Sequence, residues 1–201
     1  TCHDVQVDRL ERQDDGWRLH GAGGGVFGPY AGVILAGGWA QHDLLSEQGL
    51  SLEPTAGQVG LFDSQFDLRA PANWGGYAAR LESRLLIGAT HEKSADAGSV
   101  KDAELALRAL AAAAPGGPVE LDGLEQSWSG GRAAVADRLP LMGPMPPEGF
   151  EGVWKSHAKG GPAPTHVSLS PSGLFVLGGF GARGFAHAPL LAEALVSVLC
   201  N

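Results

Sequence analysis

The run LFVLGGFGARGFAHAPLLAEALVSVLCN at residues 174–201 constrains the fold of this chain more than any other. A short apolar stretch, residues 174–177, breaks into Gly178-Gly179-Phe180-Gly181-Ala182-Arg183-Gly184. An apolar helical pattern then opens at Pro189 and continues to the last residues. Strand, glycine turn and helix start in that order bring bare backbone N–H groups up to a flat or anionic ligand. Glycine permits the close approach, and the helix N-terminus carries the positive end of the peptide dipoles. Pro189 suits a first-turn position, where a missing N–H leaves no bond unmade. On spacing alone, a plain glycine-rich strand–helix joint satisfies the pattern equally well.

The same glycine-terminated apolar strand occurs near the other end. Residues 33–36, Val-Ile-Leu-Ala, form a continuous apolar run ending in Gly37-Gly38, which predicts a strand buried on both faces. Residues 39–47 follow as a short helix. Ahead of them, residues 5–10 alternate as a half-buried strand. Asp14-Asp15-Gly16 reads as a turn, residues 17–20 pair back as a hairpin, and a glycine loop leads to a third short segment.

Between residues 50 and 146 the texture changes. Strands are predicted at 58–62, 77–81 and 84–89. A capping box, Ser99 to Asp102, starts a helix that presents Ala103, Leu107, Leu110, Ala111 and Ala114 on one face, and Pro115-Gly116-Gly117-Pro118 stops it. Residues 125–128 and 132–136 read as two strands around a Ser129-Gly130-Gly131 kink, and a looser stretch runs from 145 through 164. The expected organisation is a domain interrupted by another: 1–49 and 147–201 share one character, and 50–146 forms a separate mixed sheet.

Composition narrows the function classes. A chain of 201 residues with 44% hydrophobic content buries a substantial core. Its 31 glycines are roughly twice the average share of about 7%, as expected of a loop-rich α/β or α+β protein. A net charge of −8 argues against a nucleic-acid surface spread over the chain, leaving only local basic spots such as Lys155 and Lys159. Cys2 and Cys200 have no metal or redox spacing, which fits a reducing cytoplasm, a disulfide bridging the two ends being the alternative. No apolar run is long enough to span a bilayer, so no membrane partner is expected. The histidines His3, His20, His42, His91, His157, His166 and His187 are scattered without ligand spacing, so no metal site is expected. No Ser-His-Asp or Cys-His arrangement stands out, and no catalytic acid or base is assigned.

One arginine stands apart. Arg132 follows two glycines in Trp128-Ser129-Gly130-Gly131-Arg132-Ala133-Ala134, among small apolar residues. A guanidinium there cannot lose its charge and needs a carboxylate or phosphate partner, either an internal acid or a ligand.

Several of these segments resemble the D-amino-acid-oxidase-like FAD oxidoreductases. The wording G-x-G-[SA]-R-G followed by A-P-L-x-A-E at the C-terminal end matches their flavin-contacting segment. W-x-G-x-R followed by D-R-L-P-L-M-G, at residues 128–143, matches the stretch whose arginine forks onto the substrate carboxylate. Val33-Ile-Leu-Ala-Gly-Gly resembles the strand beneath the cofactor, and Ile87-Gly88-Ala89-Thr90 a segment near the substrate cavity. Pro54-Thr55-Ala56-Gly57-Gln58 resembles the family's P-x-R-G-Q, with Ala56 in place of the arginine. The likeness is strongest to the tRNA-modifying branch, in which the oxidase is half of a bifunctional, cytoplasmic enzyme whose other half is a methyltransferase.

The resemblance implies a mixed β-sheet substrate domain with helices, inserted in the C-terminal part of a Rossmann-like FAD-binding domain. It implies substrate contacts from Arg132, Thr90 and Arg183. Cofactor contacts are implied from Gly37, Gly38, Gly143, Gly179, Phe180, Gly181, Ala182, Arg183 and Gly184. The implied reaction is FAD-dependent removal of a carboxymethyl group, as glyoxylate, from the amine of 5-carboxymethylaminomethyl-(2-thio)uridine in tRNA. The alternatives are a glycine, sarcosine or D-amino-acid oxidase with a small amino-acid substrate, or a binding module without catalysis. The family's N-terminal strand, glycine fingerprint and ribose-binding acid are not in this sequence. The expectation is therefore a piece of a larger enzyme, inactive alone and without bound FAD, whose partner is the remaining N-terminal part of the FAD domain.

Overall fold

In the computed structural model, which describes residues 4–94, 100–145 and 172–200, the alternating start of the chain closes into an antiparallel meander. It comprises β1 (Val7–Gln13), β2 (Gly16–Gly21) and β3 (Val26–Tyr30). The tight β1–β2 turn ends at Gly16, whose φ of +140° excludes a side chain, and a Cβ there would stand 2.7 Å from the Tyr30 carbonyl oxygen. Trp17 is buried from this meander, and its indole N–H donates to the Ser172 carbonyl at 2.8 Å.

The two glycine-terminated strands meet. β4 (Val33–Leu35) pairs in parallel with β11 (Leu174–Gly178), Val33 opposite Leu174 and Leu35 opposite Val176. On the other side of β11 lies β10 (Leu141–Pro144), antiparallel. β4 is not buried on both faces as its composition predicts. Alternation turns Val33 and Leu35 to the core and leaves Ile34, at the sheet edge, 44% exposed. The predicted short helix appears as a 3-10 turn, Gly38–Gln41, running into α1 (His42–Glu47). Leu45, Leu52, Ala133, Val135, Leu174 and Val176 close this core with Trp17.

The middle of the chain builds a separate five-stranded sheet in the order β6-β7-β8-β5-β9. Its strands are β5 (Glu53–Asp63), β6 (Ala72–Asn73), β7 (Tyr77–Leu81), β8 (Arg84–Gly88) and β9 (Leu124–Ala134). α2 (Val100–Ala112) lays Leu107 and Ala111 into a cluster with Phe62, Leu85 and Ile87, while Leu105 on its other side is exposed. That is the face its apolar spacing predicts. Ser99, the predicted N-cap, lies outside the described residues. β9 is one strand where two around a kink are predicted. It is an edge strand, and among the described residues Gly130 has nothing within 4 Å of a Cβ position, so the chain passes through the glycines unbroken.

The chain divides into two compact units: Thr1–Glu53 with Ala133–Asn201, and Pro54–Arg132. The second crossing lies at Arg132/Ala133, ahead of residue 146, because Ala133 and Val135 are buried in the core of the first unit. The loose stretch predicted after residue 145, with Lys155 and Lys159, falls outside the described residues, as do Cys2 and three of the histidines. The last helix, α3 (Gly184–Leu199), begins before Pro189, which is therefore inside it and not in its first turn. The glycine turn passes through a 3-10 turn, Gly181–Arg183, straight into the helix, so the helical path is set before the proline is reached. Among the described residues no helix is long and apolar enough to cross a membrane, and no His, Cys, Asp and Glu group is disposed to hold a metal ion.

Candidate functional site

Parallel pairing puts the C-terminal ends of β4 and β11 at one edge of their sheet, and both ends run into glycine. In open α/β sheets such adjoining strand ends form the crevice where ligands bind. Gly38 has φ 61° and Gly143, on β10, has φ 131°, and among the described residues neither has an atom within 4 Å of where a Cβ would stand. Gly181, at φ 55°, meets only the Ala134 Cβ, at 3.7 Å. Gly179, at φ 68°, is packed more tightly, 3.3 Å from Leu141 and Val135. Phe180 bridges to Ala134, and Ala182 sits in the 3-10 turn. Arg183 precedes the first turn of α3 and gives it no side-chain cap, so the N–H groups from Gly184 onward have no side-chain acceptor at the Ncap. The exposed Arg183 guanidinium donates to the Arg138 carbonyl, in a turn where Arg138 itself takes φ 61°.

Gln41 joins the two strand ends and was not foreseen from the sequence. It is 3% exposed, and its Oε1 accepts the Gly37 N–H at 2.8 Å. Its Nε2 lies 2.7 Å from where a Cβ on Gly178 would be and has no hydrogen-bond partner among the described residues. The Gly37 N–H is therefore taken up by Gln41, while a buried amide donor remains unpaired at the ends of β4 and β11. The only sequence signal was spacing: a helical turn brings residues 37 and 41 together.

The second unit holds Arg132 and Thr90 together. Arg132 makes no ion pair among the described residues, so the internal carboxylate that would account for it is not found there. Its Nη1 donates to the Thr90 carbonyl at 3.3 Å, and its guanidinium lies against Gly57. Thr90 is 8% exposed, with its hydroxyl accepting the Gln58 N–H at 2.9 Å, so it meets Arg132 through its backbone. A shallow cleft opens beside the same turn, between His91 and Glu92 and the α2 residues Ala106, Ala109 and Leu110.

The pattern that defines the family described as FAD dependent oxidoreductase matches residues 2–198. This chain belongs to that family. Among FAD-dependent oxidoreductases, it is 38% identical over 198 residues to the tRNA 5-methylaminomethyl-2-thiouridine biosynthesis bifunctional protein MnmC of Caulobacter sp. (strain K31), an alignment covering 96% of this chain and 29% of that protein. The chain thus spans under a third of the length of the curated relative it matches. Among solved structures, glycine oxidase from Geobacillus kaustophilus superposes with a TM-score of 0.68 at 27% identity, over 96% of this chain and 48% of that one. L-alpha-glycerophosphate oxidase from Mycoplasma pneumoniae, with FAD bound, superposes with a TM-score of 0.71 at 16% identity, over 100% of this chain and 51% of that one. The latter likeness is of fold alone.

The first unit's residues fit the family's cofactor. The unfilled positions beside Gly38 and Gly143 give a flat ring system or a phosphate close access to backbone, and the orphaned Gln41 amide offers a buried donor.

Proposed function

We propose that this chain is part of an FAD-dependent oxidase that removes the carboxymethyl group from the amine of 5-carboxymethylaminomethyl-(2-thio)uridine in tRNA. The observation that carries the reading is Arg132: a permanently charged fork on the W-x-G-x-R stretch, with no carboxylate partner among the described residues. Such a group is complementary to the carboxylate of a glycine-like substrate arm. Two parallel hydrogen bonds would fix the arm's orientation and not merely hold its charge. The likeness to MnmC supports tRNA as the bearer of that arm.

FAD, when bound, supplies the acceptor for the two electrons taken from the carbon–nitrogen bond. Gly38, Gly143, Gly179, Gly181 and the start of α3 would hold it through backbone, and Gln41 through its free amide. Arg183 braces the Arg138 turn, and its exposed position also suits a contact with substrate or a tRNA phosphate. A second reading, a small amino-acid substrate, is favoured by the glycine oxidase likeness at 27% identity.

The test is Arg132→Lys in the full-length enzyme. A fork becomes a point charge, so kcat/KM should fall about tenfold or more with flavin content unchanged. Normal kinetics would end the carboxylate reading. Turnover of tRNA bearing the carboxymethylaminomethyl group, set against free glycine and sarcosine, separates the two substrate classes.

A further inference from the structure

The guanidinium of Arg132 is placed by its neighbours on β5 and on the turn after β8, and the contact is unusually close at one point. A Cβ added to Gly57 would stand 2.3 Å from both Nη1 and Nη2 and 2.5 Å from Cζ of Arg132. No residue but glycine leaves room for the guanidinium there. Gly57 does not need glycine for its own backbone, since it is not among the residues with positive φ. The segment facing it is fixed on both sides. Ala56 and Glu92 exchange backbone hydrogen bonds at 2.8 and 3.0 Å, and the Thr90 N–H donates to the Gln58 carbonyl at 3.1 Å. The Gln58 N–H returns to the Thr90 hydroxyl at 2.9 Å. Gly57 is thus the unsubstituted gap between two anchored residues, and the Thr90 carbonyl that receives Arg132 belongs to the strip anchored opposite it.

We propose that Gly57 and Thr90 are positioning residues for Arg132: Gly57 by leaving the space in which the guanidinium lies, Thr90 by holding the carbonyl that orients it. This rests on the reading of Arg132 as the carboxylate-binding residue. An arginine on a flexible stem loses rotamer freedom when it binds a carboxylate, and a preformed seat takes that loss in folding and not in binding. Arg132 makes a single hydrogen bond among the described residues, so most of its five donors are left for a ligand.

The seat makes an unusual prediction for Gly57→Ala. The atoms that clash are the far end of a flexible side chain, so the fold gives way easily while the guanidinium moves. In the full-length enzyme, assayed with tRNA bearing the carboxymethylaminomethyl group, KM should rise about tenfold with a much smaller change in kcat. Thermal midpoint and bound flavin should stay at wild-type values. In an Arg132→Met background, Gly57→Ala should add nothing further, because the residue it acts through is gone. Thr90→Val should give the same KM signature and Thr90→Ser should restore it, so the seat is still tested if Gly57→Ala fails to fold. A raised KM in Arg132→Met with a normal KM in both Gly57→Ala and Thr90→Val would overturn the seat and leave the carboxylate reading standing. Full additivity of Gly57→Ala and Arg132→Met would likewise overturn it. A normal KM in Arg132→Met would remove both.

Discussion

Gly38 and Gly143 of the first unit take φ of 61° and 131°, with nothing within 4 Å of a Cβ position. Gly57, Gly60 and Gly88 of the second unit have no positive φ, yet a Cβ on them would stand 2.3, 2.8 and 2.7 Å from a side chain. At Gly38 and Gly143 glycine is required by the backbone and leaves room beside it. At Gly57, Gly60 and Gly88 the backbone tolerates any residue, and glycine is required because Arg132, Phe62, Leu107 or Tyr77 already fills the space. A glycine count treats these alike. Their consequences differ: the first kind leaves backbone open to approach, which the proposed function uses, and the second leaves room for a packed side chain, Arg132 among them.

Substitution separates the two kinds. The largest effect is expected at Gly181→Val, which puts a β-branched residue at φ 55° in the turn leading to α3. In full-length protein it should weaken flavin binding by about tenfold or more, read by flavin fluorescence on dilution. A full flavin complement would reduce that turn to a strand–helix joint. Next comes Gly60→Val, whose new methyls meet Phe62, Leu107 and Leu124 within 2.9 Å at the Cβ alone. Denaturant unfolding should show a loss of about 1–3 kcal/mol, with the flavin complement retained. Gly143→Ala meets no neighbour and strains only its own dihedral, a loss of about 1 kcal/mol by the same measurement. A loss equal to that of Gly60→Val would break the comparison.

The smallest expected effects are electrostatic. Glu11, in the first unit, is held below the usual carboxylate range by hydrogen bonds from Gln13 and His20. Asp63, in the second, is held above it by the nearby charge of Glu125, by some loss of solvation, by a hydrogen bond shared with Glu125 and by Asp122. A carboxyl with a lowered pKa adds stability above the unfolded value, and this is lost as pH falls through the folded one. A raised pKa has the opposite sign, and stability is lost as pH rises through it. Glu11→Gln should therefore lower Tm slightly at neutral pH and Asp63→Asn should raise it slightly, both differences vanishing in acid. Shifts of the same sign at neutral pH would refute the contrast.

Local pattern carries much of this fold. The β1–β2 hairpin, the apolar face of α2 and the pairing of the two glycine-terminated strands all follow from alternation, helical spacing and shared character along the chain. Three features escape it. Ile34 reads as core because three apolar residues in a row do not reveal that their strand lies at an edge. The start of α3 reads too late because proline favours a helix opening, and the 3-10 turn that carries the chain into the helix has no composition of its own. At the site, Arg132 stands out because a charge among small apolar residues demands a partner. The approach of Gln41 to Gly178 and the seat at Gly57 do not, because both depend on contacts between segments far apart in sequence, which periodicity cannot encode.

The pairing of β4 with β11 also bears on synthesis. Pro54–Arg132 leaves the ribosome as one uninterrupted run, so every strand of the five-stranded sheet is available before Leu174 has been made. The three-stranded sheet of the first unit that holds β4 has to wait, since both β10 and β11 come afterwards. Until then β4 lacks β11, the strand it pairs with in parallel, and Val33 and Leu35 lack the Leu174 and Val176 that join them in the core, a liability on a nascent chain. Its shortness limits the danger: three residues offer too little ladder for another chain to seize. A strand that must wait for its partner is best kept short.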